Sequence, residues 1–407
     1  MALPNVTINL SNGNLGRLPA NQDGVAGHVF GPTAVAPASA TLNTAYLIRT
    51  LADAEALGIT EAYDVANDVI VWHHLKEFYE ECGGTSELYI ILFNGTMAAQ
   101  FDVDGPADKL MQASAGDIRL VGSAYTPAVG AVADTDGLAT GVIAAIATAK
   151  AFVIRQFTAH KPCRVLLEGY AIESVAALAY DLRDTTGPVA DPVGVVVGQT
   201  AGLLPSSMSD FTRYASIGRV MGRAARIAVH YNLGRVKDGP LVGVVSGGFS
   251  DASALAAATD AQLEALNTLG YIFFRVHSGL AGLFINDDHM ATPITSDYSG
   301  LARGRVIDKA ARIAYRVYVN ELNDDVELDG TTGQLALATV KNLESIIETA
   351  IGSEMAGEIT SVDAYIDPVQ NILSTDQINV ELNIVPRGIA RNIRVTLAYR
   401  NPAAATA

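Results

Sequence analysis

Residues 378–384 read Ile-Asn-Val-Glu-Leu-Asn-Ile, and residues 393–399 read Ile-Arg-Val-Thr-Leu-Ala-Tyr. Apolar and polar side chains alternate without a break in both stretches. Neighbouring side chains on a strand point to opposite faces, so each stretch has the pattern of a half-buried strand. Ile378, Val380, Leu382 and Ile384 form one apolar row, and Ile393, Val395, Leu397 and Tyr399 form the other. With a further strand after Glu358, residues 358–399 read as three strands. A shorter alternation, Val6, Ile8 and Leu10, stands at the opposite end of the chain. A terminal strand of this kind presents unpaired backbone groups, a liability in a monomer and a means of joining copies in an assembly.

Two helices precede these strands, over residues 303–321 and 335–351, the first with the apolar stripe Val306, Ala310, Ile313 and Val317. Helices followed by strands make an α+β unit. Upstream, strands and helices alternate. Strands are expected at 87–93, 118–122, 164–168, 193–197, 241–245, 271–276 and 283–286. Helices are expected at 42–57, 62–81, 138–157, 174–182, 215–232 and 252–269. That spacing predicts an α/β region with mixed or parallel pairing. The expected layout is an N-terminal arm (1–27), a central α/β domain (28–300), a C-terminal α+β domain of two helices and a small sheet (301–390), and a C-terminal arm (391–407).

Composition narrows the partners. Charged residues make up only 17% of the 407 and hydrophobic residues 49%, whereas soluble domains carry about a quarter charged residues. Much of the surface is therefore expected to be covered, and no uninterrupted apolar run reaches the roughly 18 residues of a membrane helix. A net charge of −16 repels phosphate backbones, so nucleic acid is not an expected ligand. Cys82 and Cys163 form no disulfide framework. The N-terminus, Met1-Ala2-Leu3-Pro4-Asn5, has neither the basic start nor the apolar core of a secretory signal.

Several residue groups have the chemistry of a site. His73, Glu77 and Glu81 share one helix face and could begin a metal site, but no further His or Cys cluster completes it, and a wet helix face is the expectation. Asp287-Asp288-His289 offers acid–base or metal-binding groups, but neighbours on an extended chain converge poorly, and a hydrogen-bonded turn is favoured. Gly247-Gly248-Phe249-Ser250 lies where phosphate loops lie, without the lysine or the glycine spacing of one. Ser250 or Asp251 is expected to cap a helix instead. No catalytic, cofactor-binding or metal-binding residue is assigned. Arg305, Lys309, Arg312 and Arg316 share a helix face, readable as solvated or as the contact for an acidic protein surface, such as Asp324, Asp325, Glu327 and Asp329 of a neighbouring copy.

Together these stretches resemble the contractile tail sheath proteins of phages, pyocins and related injection systems. The likeness is carried by Leu88-Tyr89-Ile90 after Gly83-Gly84, by Ala215-Ser216-Ile217-Gly218 through Gly222-Arg223-Ala224-Ala225, by Leu269-Gly270-Tyr271-Ile272 through Phe284-Ile285-Asn286-Asp287, and above all by Ser296-Asp297-Tyr298 with Gly304-Arg305-Val306-Ile307-Asp308-Lys309-Ala310. The resemblance implies a mechanical protein. Subunits would stack around an inner tube, with baseplate and terminator proteins at the ends. Terminal arms would join the C-terminal sheet of a neighbour, and contraction would be the fall from a metastable lattice. On this reading Val6, Ile8, Leu10, Ile393, Val395, Leu397 and Tyr399 are inter-subunit strand residues. Ile378, Val380, Leu382 and Ile384 belong to the acceptor strand, and the basic helix face meets the tube or a neighbour. No cofactor, nucleic acid or membrane anchor is implied, and the expected location is a virion tail or a particle assembled in the cytoplasm. The alternatives are an α/β enzyme or ligand-binding protein using residues 242–251, and a non-contractile shell or tube protein.

Overall fold

The computed structural model describes residues 22–128, 130–133, 135–184, 189–200 and 213–399. The expected N-terminal strand residues Val6, Ile8 and Leu10 lie outside them. The central region is built on six strands: β1 (Ala26–Gly31), β2 (Tyr46–Ile48), β3 (Leu88–Leu92), β4 (Leu120–Tyr125), β5 (Arg164–Glu168) and β6 (Val193–Val196). Their order is β2-β3-β1-β4-β5-β6. β1 runs parallel to both β3 and β4, β4–β5 and β5–β6 are parallel, and β2 is antiparallel to β3. β1 begins inside the segment expected to be an arm. Its sequence, Ala-Gly-His-Val-Phe-Gly, is buried at every position. A Cβ on Gly27 would stand 2.9 Å from Ile118 Cδ1, so glycine lets the layers approach there.

Helices cover both faces of this sheet, as parallel strands require. α1 (Leu51–Ala56) starts with a capping box between Thr50 and Asp53, and α2 (Glu61–Asn67) stops at Asp68, which is left-handed at φ 55. The helix expected over 62–81 is therefore broken and restarts as α3 (Trp72–Cys82). The Asp64 carboxylate accepts the N–H groups of Val71, Trp72 and His73 and so supplies the cap that α3 lacks locally. α4 (Pro106–Ala113) and α5 (Thr140–Thr158) lie on the Gly27 face, and α3 and α6 (Ile217–Arg226) on the His28 face. A side chain on Gly218 would run into the His74 carbonyl, and one on Gly222 would reach within 2.5 Å of the Phe78 carbonyl oxygen. These two glycines, one turn apart, let α6 lie directly on α3.

Among the described residues, α5 is the one helix long and apolar enough by length and composition to cross a membrane, although Lys150, Arg155 and Gln156 interrupt its apolar run. Val142, Ala145, Ile146, Ala149 and Phe152 of α5 are buried in the core, while Ile154 and Phe157 are exposed. Residues 174–182 form turns rather than a helix, and 241–245 form no strand. The segment 238–242 is held instead by buried arginines of α6: Arg223 donates to the carbonyls of Gly239 and Pro240, and Arg219 to that of Val242. Short antiparallel pairs, β7 (Gly198–Thr200) with β8 (Gly247–Phe249) and β9 (Phe274–Arg275) with β10 (Phe284–Ile285), flank the main sheet. α7 (Asp260–Leu269) starts at Thr259, so the helix expected from 252 is shorter.

The C-terminal region contains α8 (Leu301–Tyr318), α9 (Leu337–Glu354), β11 (Ile359–Tyr365) and β12 (Glu381–Pro386). Val306, Ala310 and Ile313 of α8 pack against Ile347 and Ile351 of α9 and Ile359 and Ala364 of β11. Ile378 and Val380 join a smaller cluster around Leu335 and Ile366. The region is fastened to the central sheet by a buried ion pair. Arg164 of β5 meets both oxygens of Asp308 at 2.7 Å, in the forked geometry that arginine favours. Gly304 leaves room for it, since a Cβ there would lie 2.7 Å from Arg164 Cζ.

Candidate assembly interface

Among the described residues β11 and β12 pair antiparallel with each other alone, Val362 facing Ile384 and Ala364 facing Leu382. The three strands expected over 358–399 are thus two in the isolated chain, and an isolated two-stranded sheet is marginal. Its edges differ. The N–H groups of Ala364 and of Ile366, the residue just after the strand, donate to Glu348 and Glu344 of α9 at 2.8 and 2.9 Å, so side chains cover the C-terminal end of the outer edge of β11. Among the described residues, no strand covers the outer edge of β12. Residues 387–399 form no helix or strand, and Ile393, Val395 and Leu397 are 80%, 72% and 90% exposed, with Tyr399 fully so. The acceptor row is also split: Leu382 and Ile384 lie in β12, whereas Ile378 and Val380 precede it.

The basic face of α8 turns inward for most of its length. Lys309 Nζ lies 2.7 Å from Asp23 Oδ2 and 2.8 Å from Glu358 Oε2. Arg312 lies 3.3 Å from Asp23 Oδ1, and Arg305 donates to the Asp23 carbonyl. Arg316, paired with Glu354, is the member left largely in solvent. Sequence spacing placed the four on one face, and Asp23, nearly three hundred residues upstream, decides which way that face looks.

Asp287, Asp288 and His289 are buried. Contrary to the expectation for neighbouring residues, the two carboxylates converge: Asn232 Nδ2 donates to Asp287 Oδ1 at 2.5 Å and to Asp288 Oδ1 at 2.6 Å. Arg391 Nε lies 2.7 Å from Asp287 Oδ2, and its Nη2 lies 3.2 Å from Asp288 Oδ1. Burial and the Asp287 charge hold Asp288 well above the usual carboxylate range, while the charges of His289 and Arg391 overcome burial at Asp287 and lower it.

The face of α3 expected to be wet is buried as well. His73, His74, Glu77 and Glu81 are all inside, because α6 lies on them. His74 sits 3.8 Å from Glu77 Oε2 and 3.7 Å from Glu168 Oε2. Burial pushes its imidazole down, but the nearby Glu77 and Glu168 carboxylates outweigh burial and raise its pKa. Glu77 falls to about 2 because its histidine and arginine neighbours outweigh burial. Burial moves Glu168 up to about 7 and His73 down to about 4. Glu81 binds Arg223 at 2.6 Å and Arg226 at 3.2 Å. These groups neutralise one another inside the fold, and no three of them make a metal cluster among the described residues.

Residues 247–249 are themselves strand β8. The Ser250 hydroxyl donates to the Gly169 carbonyl, and the Asp251 carboxylate accepts from Val175 and Ser253. The expected helix cap falls instead to Thr259, in a capping box with Gln262. Open α/β sheets hold ligands beyond the carboxyl ends of strands where the strand order reverses. Beyond β1 and β4, Gln100 fills that place: it is buried, accepts from Ser123 at 2.6 Å, and stands beside buried Met97 and Phe101.

Comparisons with known proteins agree with this architecture. A chain of the anti-feeding prophage baseplate superposes with a TM-score of 0.62 at 15% identity, covering 98% of this chain and all of that one. The helical sheath of the anti-feeding prophage in its contracted state gives 0.60 at 15% identity, with the same coverage. The sheath tail protein of Desulfitobacterium hafniense gives 0.51 at 13% identity, covering 94% of this chain and all of that one. At these identities the likeness shows a shared fold, that of contractile sheath proteins. No curated protein matches the sequence. Residues 3–289 match the DUF2586 N-terminal domain and residues 297–404 match the DUF2586 C-terminal domain, so the chain belongs to the DUF2586 family.

Proposed function

We propose that this chain is the structural subunit of a contractile tail sheath, a component of a phage tail or injection particle. It polymerises around an inner tube by exchanging terminal strands and contracts to drive the tube through a target envelope. The observation that carries the reading is the mismatch at the C-terminus: a two-stranded sheet with one covered edge, beside an exposed strand pattern at 393–399. Added to the β12 edge of a neighbour, Ile393, Val395, Leu397 and Tyr399 extend the apolar row of Leu382 and Ile384. Main-chain hydrogen bonds supply affinity and the alternate side chains supply register. Val6, Ile8 and Leu10 are the second donated strand. The contact is head-to-tail and need not close, so it propagates as a filament. Arg316 is where the basic face of α8 can meet the tube or a neighbour. Baseplate and terminator proteins occupy the ends, and the role needs no cofactor.

Removal of residues 391–407 tests this. The truncated subunit should remain folded, judged by circular dichroism and a monodisperse sedimentation profile, and form no polymers under electron microscopy. Polymers of normal width from the truncated chain would defeat strand donation. One polymer form in place of a long narrow and a short wide one would mark a non-contractile tube.

A further inference from the structure

We propose that Arg391 anchors the root of the C-terminal arm, with Asp287 and Asp288 as its built-in socket, so that the arm leaves the subunit from one fixed point. The inference rests on reading residues 393–399 as a donated strand. Arg391 reaches Asp287 through Nε (2.7 Å) and Nη2 (3.1 Å), and Asp288 through Nη2 (3.2 Å). Asp288 is committed on its other side. Its Oδ2 accepts the Ala302 N–H at 2.7 Å, and its carbonyl accepts the Leu301 N–H at 2.8 Å. The same residue therefore caps α8, where the chain enters the C-terminal region, and holds residue 391, where the chain leaves it. Asn232, in the loop after α6, completes the node. Gly300 leaves space for it: a Cβ there would stand 2.9 Å from Asp288 Oδ1 and 3.1 Å from Arg391 Nη2.

The position of the anchor has mechanical sense. Without it the arm would hang from Pro386, the last residue of β12, with five more free residues and roughly 17 Å more reach. Shortening a tether confines its end and raises its effective concentration at a nearby edge. Load drawn through the arm would enter the body at a node that grips both halves of the chain, rather than peel β12 from β11.

Trypsin reads the anchor directly, because Arg391 and Arg394 are neighbouring cleavage sites with different surroundings. In the full-length, unassembled chain, cleavage after Arg394 should precede cleavage after Arg391. Asp287→Asn should speed cleavage after Arg391 about fivefold, as expected for loss of a partly exposed ion pair, and leave the Arg394 rate unchanged. It should also lower the yield of straight polymers. Gly300→Ala, which crowds Arg391 without altering any charge, should act in the same direction and guards against a folding defect specific to Asp287→Asn. Protection of Arg391 unchanged in both variants would overturn the anchor. Loss of protection with wild-type polymers would overturn its role in launching the arm. If the anchor holds but truncation at 391 leaves polymers intact, strand donation is what fails.

Discussion

His73 is held neutral by burial between α3 and α6, with its Nε2 3.1 Å from the Tyr214 hydroxyl. Its ordinary pKa of 6.5 falls to about 4 in the fold. Between those values the unfolded chain binds the proton and the folded chain does not, so stability contributed by His73 is present above pH 6.5 and is lost as pH falls toward 4. The share is about 3 kcal/mol. Glu168 runs the other way: its raised pKa favours the fold as pH drops from about 7, so the wild-type profile is a sum of opposed slopes. The informative quantity is a difference. His73→Gln, which keeps a hydrogen-bonding group near Tyr214, should show a smaller loss of Tm than wild type between pH 6.5 and 4, and parallel profiles would contradict the assignment. Such residues were misread from sequence for one reason. Helical spacing shows that His73, Glu77 and Glu81 share a face, but the helix that covers it lies about 140 residues away. Asp23 on the α8 basic face and Arg391 on Asp287 are the same case.

At the scale of elements, legibility followed how completely each element declares its own periodicity. β5 was read at the residues it occupies, and α5, α8 and α9 within a few residues of their ends, because each is long or continuously apolar. β1 was missed although it is the centre of the sheet. Two glycines and a histidine dilute its apolar signal, and those residues are there because neighbouring layers come close. The strand expected at 241–245 failed for the opposite reason: an apolar run was claimed by Arg219 and Arg223 as an irregular segment. Within the C-terminal sheet the edge of β11 is the informative element. Glu344 and Glu348 bond the outward N–H groups at and just beyond its C-terminal end and so guard that end against pairing, one of the ways natural sheets protect an edge. Replacing both by alanine should destabilise the subunit by about 2 kcal/mol, about 1 for each lost bond. It should also produce irregular association, visible as increased light scattering in unassembled protein. Scattering equal to wild type would mean that the edge is protected by something other than these carboxylates.

At the scale of the whole molecule, the outer edge of β12 has no strand beside it among the described residues, and the sequence alternates in strand fashion at residues 6–10 and 393–399. On the proposed strand exchange, a sheet that grows at the β12 edge alone grows in order: the first strand to arrive would pair with β12, and the second with the first. The two ends of the chain are then unequal. With the C-terminal strand innermost, removal of residues 391–407 takes away both additions at every junction, whereas removal of residues 1–10 takes away only the outer one. The first truncation should abolish polymers, and the second should leave polymers that dissociate at lower denaturant concentration than wild type, measured by turbidity or sedimentation. Equal effects would require two independent docking edges. Where the order holds, a junction is a conditional series rather than a pair of separate bonds. A growing sheath could then tell a completed neighbour from a half-made one by whether the outer place exists at all.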